Sequence, residues 1–318
     1  MNKIKLCFIL LIASVSFFSC NKDDKDTVAP PRDRAQQYTQ DIADIEEYLK
    51  SHYITKVMVD GVEDVQFLPI TDPATQVSIW DNTEFPLKYK MVKNDVRKNN
   101  NVNGVSGDKV DYKLYYLLIN EGGGEKPNTV DSTFTTYKGW TLDNNVFDST
   151  NTPFWSTYPV TSTGEVALIS GYRQFLPELK TATASTIGDD GYITFENPGM
   201  GVVFIPSGLG YFDAPKPNIP AYSPLIFRIR LQSVRYKDHD RDGILSKDEN
   251  YDGDYDFFND DTDGDNLPDF LDIDDDGDGY TTNFEIKENG VIVKPYPACD
   301  TGNPKYKDKS CHPPKATN

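Results

Sequence analysis

Hydrophobic residues are sparse in this chain, 37% of 318, and they are interspersed with 21 Pro and 22 Gly. That scarcity excludes a helix-rich bundle, while 19 Tyr and 17 Phe favour half-buried strands. A basic excess is also missing. Lys and Arg number 32 against 50 Asp and Glu, a net charge of −18, which excludes a nucleic-acid-binding basic face. No membrane span opens the chain: the apolar stretch from Leu6 to Phe18 has 13 residues, where a spanning helix needs ~20. Cysteine is limited to four residues, and the length suits one or two domains plus appendages.

What is present at the N-terminus reads as a processing signal, with Lys3 and Lys5 ahead of the apolar stretch. Phe17-Phe18-Ser19-Cys20 then resembles a bacterial lipoprotein cleavage box. The resemblance implies a signal peptide over 1–19, lipidation of Cys20 and stable anchoring to a membrane through several acyl chains. The alternative is an ordinary secretory peptide. Asn21-Lys22-Asp23-Asp24 is similar to the signal that sends Bacteroidetes lipoproteins to the cell's outer face. It implies an outer-membrane lipoprotein exposed at the surface, or else one facing the periplasm. Residues 20–34 are polar and contain Pro, as a tether does. In the oxidising compartment this implies, Cys299 and Cys311 are most simply a disulfide, in a C-terminal tail over 286–318. A zinc site would need more than the nearby His312.

The acidic charge is local. Residues 238–285 hold 17 Asp and 2 Glu against Arg241 and Lys247, a net −17 of the total −18. A solvated acidic tail is the plain explanation for such a run, but the spacing argues for a cation site. Asp238, Asp240, Asp242, Gly243 and Glu249 occupy positions one, three, five, six and twelve of a loop. That spacing turns alternate carboxylates inward, lets Gly make the sharp turn and leaves Glu to bind bidentately. Asp274, Asp276, Asp278, Gly279 and Glu285 repeat it. Between them, Asp261, Asp263, Asp265, Asp269 and Asp272 resemble a thrombospondin type 3 repeat. Asp252, Asp254 and Asp256 suggest a further partial site. Oxygen ligands without His or Cys suit calcium in a structural role. With little apolar core, the segment is expected to be an irregular, ion-stapled string of turns, disordered without metal.

Residues 35–52 carry Ile42, Ile45, Tyr48 and Leu49 on one helical face. Short β-prone runs follow at 77–80 and 87–92, so 35–107 reads as a helical and β extension without assigned function. From residue 108 strands dominate, at 110–119, 132–138, 200–205 and 225–231, with a short helix near 172–179. The expected class is α+β: an antiparallel β-sheet wrapping one short helix, flanked by that extension and by the irregular acidic segment.

Four motifs in order then resemble the FKBP family over 108–235. They are Tyr137-Lys138-Gly139 with Phe147-Asp148-Ser149; Leu168-Ile169-Ser170-Gly171-Tyr172; Ile205-Pro206-Ser207-Gly208-Leu209-Gly210-Tyr211; and Ile219-Pro220 with Leu225-Ile226-Phe227. Two departures are Tyr172, where the family has Trp, and Phe212, where it has Gly. The resemblance implies peptidyl-prolyl cis–trans isomerisation of proline-containing polypeptides, with no cofactor for catalysis. It assigns Tyr137, Phe147, Leu168, Ile169, Tyr172, Ile219 and Phe227 to the wall gripping proline. Tyr211 would be a hydroxyl donor and Asp148 an electrostatic contact. One further aromatic comes from Phe154, Trp155 or Tyr158, with Trp155 favoured. The alternative is a non-catalytic proline-peptide binding module.

Overall fold

The computed structural model describes residues 30–59, 61–95, 108–160 and 166–311. The signal stretch, the lipidation candidate Cys20, most of the tether, and His312 lie outside them. The chain divides after Pro31, and the unit from Arg32 onward carries every described helix and strand.

Helix α1 (Arg34–Ser51) starts at Asp33, whose side chain accepts a hydrogen bond from Gln36 N. Ile45, Tyr48 and Leu49 are buried along it, and so are the polar Asp41 and Gln37 one and two turns earlier. The hairpin of β1 (His52–Val59) and β2 (Val62–Pro69) follows directly. Gly61, just before β2, takes a φ of 78°, a conformation glycine adopts freely. The run 77–80 is not a strand, contrary to its β-prone reading. Its backbone donors are used by the end of α1 instead: Trp80 N donates to Leu49 O at 3.0 Å, and Ile79 N to His52 O at 2.8 Å.

The main sheet contains β3 (Lys88–Val92), β4 (Tyr112–Asn120), β5 (Ser132–Thr141), β6 (Val146–Ser156), β9 (Gly199–Ile205) and β10 (Leu225–Arg235). The spatial order is β3-β4-β9-β10-β5-β6, antiparallel throughout. Between β6 and β9 come helix α2 (Ser170–Phe175) and an exposed hairpin of β7 (Ala184–Ile187) and β8 (Ile193–Glu196). The fold is thus α+β, an antiparallel sheet around one short helix.

Strands β4, β9 and β10 read as continuous apolar runs because both of their faces are covered. On β9, Val203 and Ile205 point to the face of α2, where Tyr172, Phe175, Leu176 and Leu179 pack. A Cβ at Gly201 would lie 2.5 Å from the Phe175 ring, so this strand position must be glycine for the helix to sit so close. Met200, Val202 and Phe204 point the other way, against Ile45, Tyr48 and Leu49 of α1 and Ile54, Val65 and Phe67 of the hairpin. Asp64 of β2 pairs with Arg228 of β10 across that layer, Oδ1 to Nε at 2.9 Å, with both side chains nearly buried. The described residues of 34–87, for which the sequence offered no role, are therefore the second cover of the sheet, and 88–92 add its edge strand β3.

Candidate functional site

Strands β5, β6 and β10 and helix α2 bring four aromatic rings together. Phe227 lies 5.7 Å from Tyr137, 5.4 Å from Phe147 and 5.4 Å from Tyr172, and Tyr137 lies 6.1 Å from Tyr172. The rings cross edge to face, at 61–89°, the arrangement aromatic quadrupoles favour. Tyr172 is the floor, 1% exposed. Its hydroxyl bonds Thr135 Oγ1 at 3.1 Å, so the polar end is satisfied in the core and the ring is left to the cluster. Gly139 makes room for the wall, since a Cβ there would lie 2.4 Å from the Phe147 ring.

Leu168 and Ile169, just before α2, and Ile219, in the loop before β10, pack against the same cluster. Asp148 stands exposed at the rim, where Oδ2 accepts the Tyr137 hydroxyl at 2.5 Å and Oδ1 accepts Ser149 N at 2.8 Å. Tyr211 is half-buried beside them. Burial, and then the charge of Asp148, push the hydroxyl pKa of both Tyr137 and Tyr211 up, so both stay protonated donors. Trp155 is not in this group. It stacks on Phe134 at 4.7 Å and lies under the Arg235 guanidinium at 3.8 Å. Neighbours on a strand face opposite sides; Trp155 is paired with Phe134, whereas Phe154 is paired with Thr135, on the Tyr172 side. Phe154 is the aromatic that reaches the cage, 5.8 Å from Tyr137.

The loop carrying Tyr211 is held by α1. Asp41, 1% exposed, accepts from Ser207 N at 2.7 Å, Ser207 Oγ at 2.6 Å and Gln37 Nε2 at 2.7 Å. Phe212 adopts a φ of 49°, where glycine is the easier residue. Its ring is clamped under the Arg34 guanidinium at 4.1 Å and against Tyr222 at 5.1 Å. Sequence reading missed Asp41 because a lone acid on an apolar stripe carries no signal of its partner. Asp41→Ala strands the Ser207 donors and is expected to cost about 1–3 kcal/mol in denaturant unfolding. It should also loosen the loop that positions Tyr211.

The acidic segment forms a second set of candidate sites. Three loops share one hydrogen-bond pattern. The residue-six amide donates to the residue-one carboxylate in each: Gly243 to Asp238, Asn266 to Asp261 and Gly279 to Asp274, at 3.0–3.2 Å. Gly243, Asn266 and Gly279 all take positive φ. Carboxylate oxygens lie within 4.8 Å of one another in four groups: Asp238, Asp240 and Asp242; Asp261, Asp263 and Asp265; Asp274, Asp276 and Asp278; and Asp242, Glu249 and Asp275. Both oxygens of Glu249 and of Glu285 are buried with no hydrogen-bond partner, as is one oxygen each of Asp238, Asp240, Asp242, Asp274 and Asp276. These groups could hold hard divalent cations. Burial first, then the neighbouring carboxylates, pushes the Glu249, Asp240 and Asp242 pKa values up.

Asp269 departs from its expected place. Its two oxygens accept Thr262 N and Thr262 Oγ1, each at 2.7 Å. Ser246 and Thr282 bond His239 and Asp275 likewise, so residue nine latches residue two in every loop. Asp272 accepts Asp274 N at 3.0 Å and feels Asp265 and Asp263 nearby. The segment also has more apolar core than its composition suggested. Phe257, Phe258 and Phe270 pack on Val130 and Tyr158 of the sheet domain. Ile244, Ile286 and Tyr306 form another nucleus, beside the short helix α3 (Thr282–Glu285) and the small hairpin of β11 (Lys287–Glu288) and β12 (Val291–Ile292). The tail is thus part of this unit, closed by a bond between Cys299 and Cys311, whose Cα atoms are 5.8 Å apart.

The BamM C-terminal family matches residues 239–307, which are these loops and the tail that packs into them. No curated protein matches the chain. Among solved structures, a peptidyl-prolyl cis-trans isomerase from Pseudomonas syringae pv. tomato is 22% identical, with a TM-score of 0.30 over 38% of this chain and 74% of that one. FkpA from Escherichia coli is 26% identical, with a TM-score of 0.30 over 38% of this chain and 48% of that one. The N-terminal domain of FKBP42 from Arabidopsis thaliana is 17% identical, with a TM-score of 0.29 over 38% and 86%.

Proposed function

We propose that the chain is an FKBP-type peptidyl-prolyl isomerase, lipid-anchored through Cys20, acting on X-Pro bonds of exported or surface polypeptides. The observation that carries this reading is the ring cage over Tyr172, with the Tyr137–Asp148 pair at its rim and Tyr211 beside it. Rotation about a peptide bond faces a barrier of ~18–20 kcal/mol because amide resonance must be broken. The two X-Pro isomers differ by only about 0.5–1 kcal/mol, so both are populated yet interconvert slowly. Catalysis then asks only for a site that binds the twisted amide better than the planar one. The twisted bond has lost its charge-separated resonance and so favours an apolar wall. Tyr137, Phe147, Phe154, Leu168, Ile169, Ile219 and Phe227 supply that wall. The Tyr211 hydroxyl, kept protonated by burial, donates to a substrate carbonyl, and Asp148 acts electrostatically beside the twisting one.

The acidic segment is read as a structural calcium unit. The orphaned, buried oxygens of Glu249 and Glu285 fit such an ion, since an ionised carboxylate without a partner is costly inside a protein. Asp238, Asp240, Asp242 and Glu249 would hold one ion, Asp274, Asp276, Asp278 and Glu285 another, and Asp261, Asp263 and Asp265 a third. An outer-membrane address rests on the N-terminal signals and is in keeping with the BamM C-terminal match.

The deciding measurement is isomerisation of an X-Pro peptide by the whole chain, with calcium varied. Acceleration is expected, falling at least roughly tenfold in Asp148→Ala and Tyr211→Phe and indifferent to calcium. A folded chain that binds proline peptides without accelerating them would leave a binding module in place of an enzyme.

A further inference from the structure

Asp275 stands at position two of the third loop, which supplies no ligand in the twelve-residue pattern. Its carboxylate nevertheless meets the first loop, within 4.8 Å of oxygens of Asp242 and Glu249. All three residues are buried, at 1%, 2% and 0% exposure. Neither oxygen of Glu249 has a hydrogen-bond partner, and nor does Oδ2 of Asp242. Asp275 is held in place by Thr282 of its own loop and by Tyr251 outside it. Thr282 Oγ1 donates to its Oδ1 at 2.8 Å, its amide donates back to Thr282 Oγ1 at 3.2 Å, and the Tyr251 hydroxyl donates to Oδ2 at 3.3 Å. The other two loops carry His239 and Thr262 at this position, so the third acid is peculiar to this place. Lys307, whose ammonium lies over the Tyr251 ring, brings one positive charge near Asp275 and Glu249.

We infer that Asp275 is a ligand of the cation held by Asp242 and Glu249, so that the ion of the first loop also fastens the third. The inference rests on the calcium reading above. Oxygen donors alone select a hard divalent cation, and each added carboxylate raises its affinity. The two loops then share an ion, and emptying one site loosens the other.

Calcium titration and thermal melting of the whole chain test this, using Asp275→Asn and Glu249→Gln, in chelator and in calcium. Asp275→Asn is expected to weaken one calcium site roughly tenfold or more, as Glu249→Gln does. In chelator it should melt no lower than wild type, because it removes one of several mutually repelling charges. Opposite signs in the two buffers mark a ligand. Equal lowering in both would mark a residue that merely supports the fold, and would overturn the inference. Unchanged calcium affinity in Asp275→Asn, while Glu249→Gln loses a site, would also overturn it and leave the calcium reading standing. A wild-type chain that binds no calcium removes both.

Discussion

Phe204→Ala should lower the stability of the whole chain by about 3–5 kcal/mol, the usual cost of emptying a fully buried phenylalanine site. Phe204 is 0% exposed in the middle of β9, on the face turned away from α2. Its ring lies 6.2 Å from Tyr48 of α1 and 6.2 Å from Phe67 of β2, and its strand neighbours are Tyr115 and Ile226. The residues that cover this face come from before residue 93, so a chain lacking residues 32–92 would expose Tyr115, Leu117, Trp140, Val202, Phe204 and Ile226 together. Such a truncation is expected to yield no soluble folded domain. Denaturant unfolding of Phe204→Ala decides the point. A cost below about 1 kcal/mol would mean that the face is not a core and that the N-terminal layer is an accessory.

That layer was the least legible part of the fold. The strands of 108–235 could be read because runs such as 200–205 are too apolar for one buried face, and the cage residues because four motifs fall in order. The same continuous runs hinted that something must cover the second face, but not what. The hairpin of β1 and β2 had a usable signal in Asp60-Gly61 between alternating residues. The polar contacts had none. Asp41 meets Ser207 across 166 positions, and Asp64 meets Arg228 across 164, so only the folded chain makes them partners. Composition does not separate Phe154 from Trp155, two large aromatics in one stretch; strand pairing decides which of two neighbours faces inward. In the acidic loops the spacing carried the grouping of positions one, three and five, whose carboxylate oxygens gather within 4.8 Å. It could not carry Asp269 turning to Thr262, because residue nine serves either an ion or its own loop depending on packing.

If the acidic loops hold the calcium proposed for them, removing it should destabilise the C-terminal unit by about 3 kcal/mol for each ion lost, taking free calcium near one hundred times the dissociation constant. The apolar contacts now visible change what that loss looks like. Phe257, Phe258 and Phe270 remain packed on Val130 and Tyr158, so chelation should loosen the loops without detaching the segment. Near-ultraviolet circular dichroism from Tyr251 and Tyr306, both packed beside the first and third loops, should report the change. The pH dependence gives an independent check with a definite sign. In chelator, burial first and then mutual repulsion hold the Glu249, Asp275, Asp240 and Glu285 carboxyls above the ordinary range, so the folded unit binds more protons than the unfolded chain. Stability must then fall as pH rises from the unfolded carboxylate range near ~4 towards the raised values. If calcium occupies the loops as proposed, the same oxygens would be ionised ligands competing with protons, and stability should rise with pH over that interval. Melting temperatures from pH 5 to 8, with and without chelator, should therefore diverge. Parallel curves would show that the orphaned oxygens of Glu249 and Glu285 answer to no ion, and that the packing around Phe270 and Tyr306 holds the unit by itself.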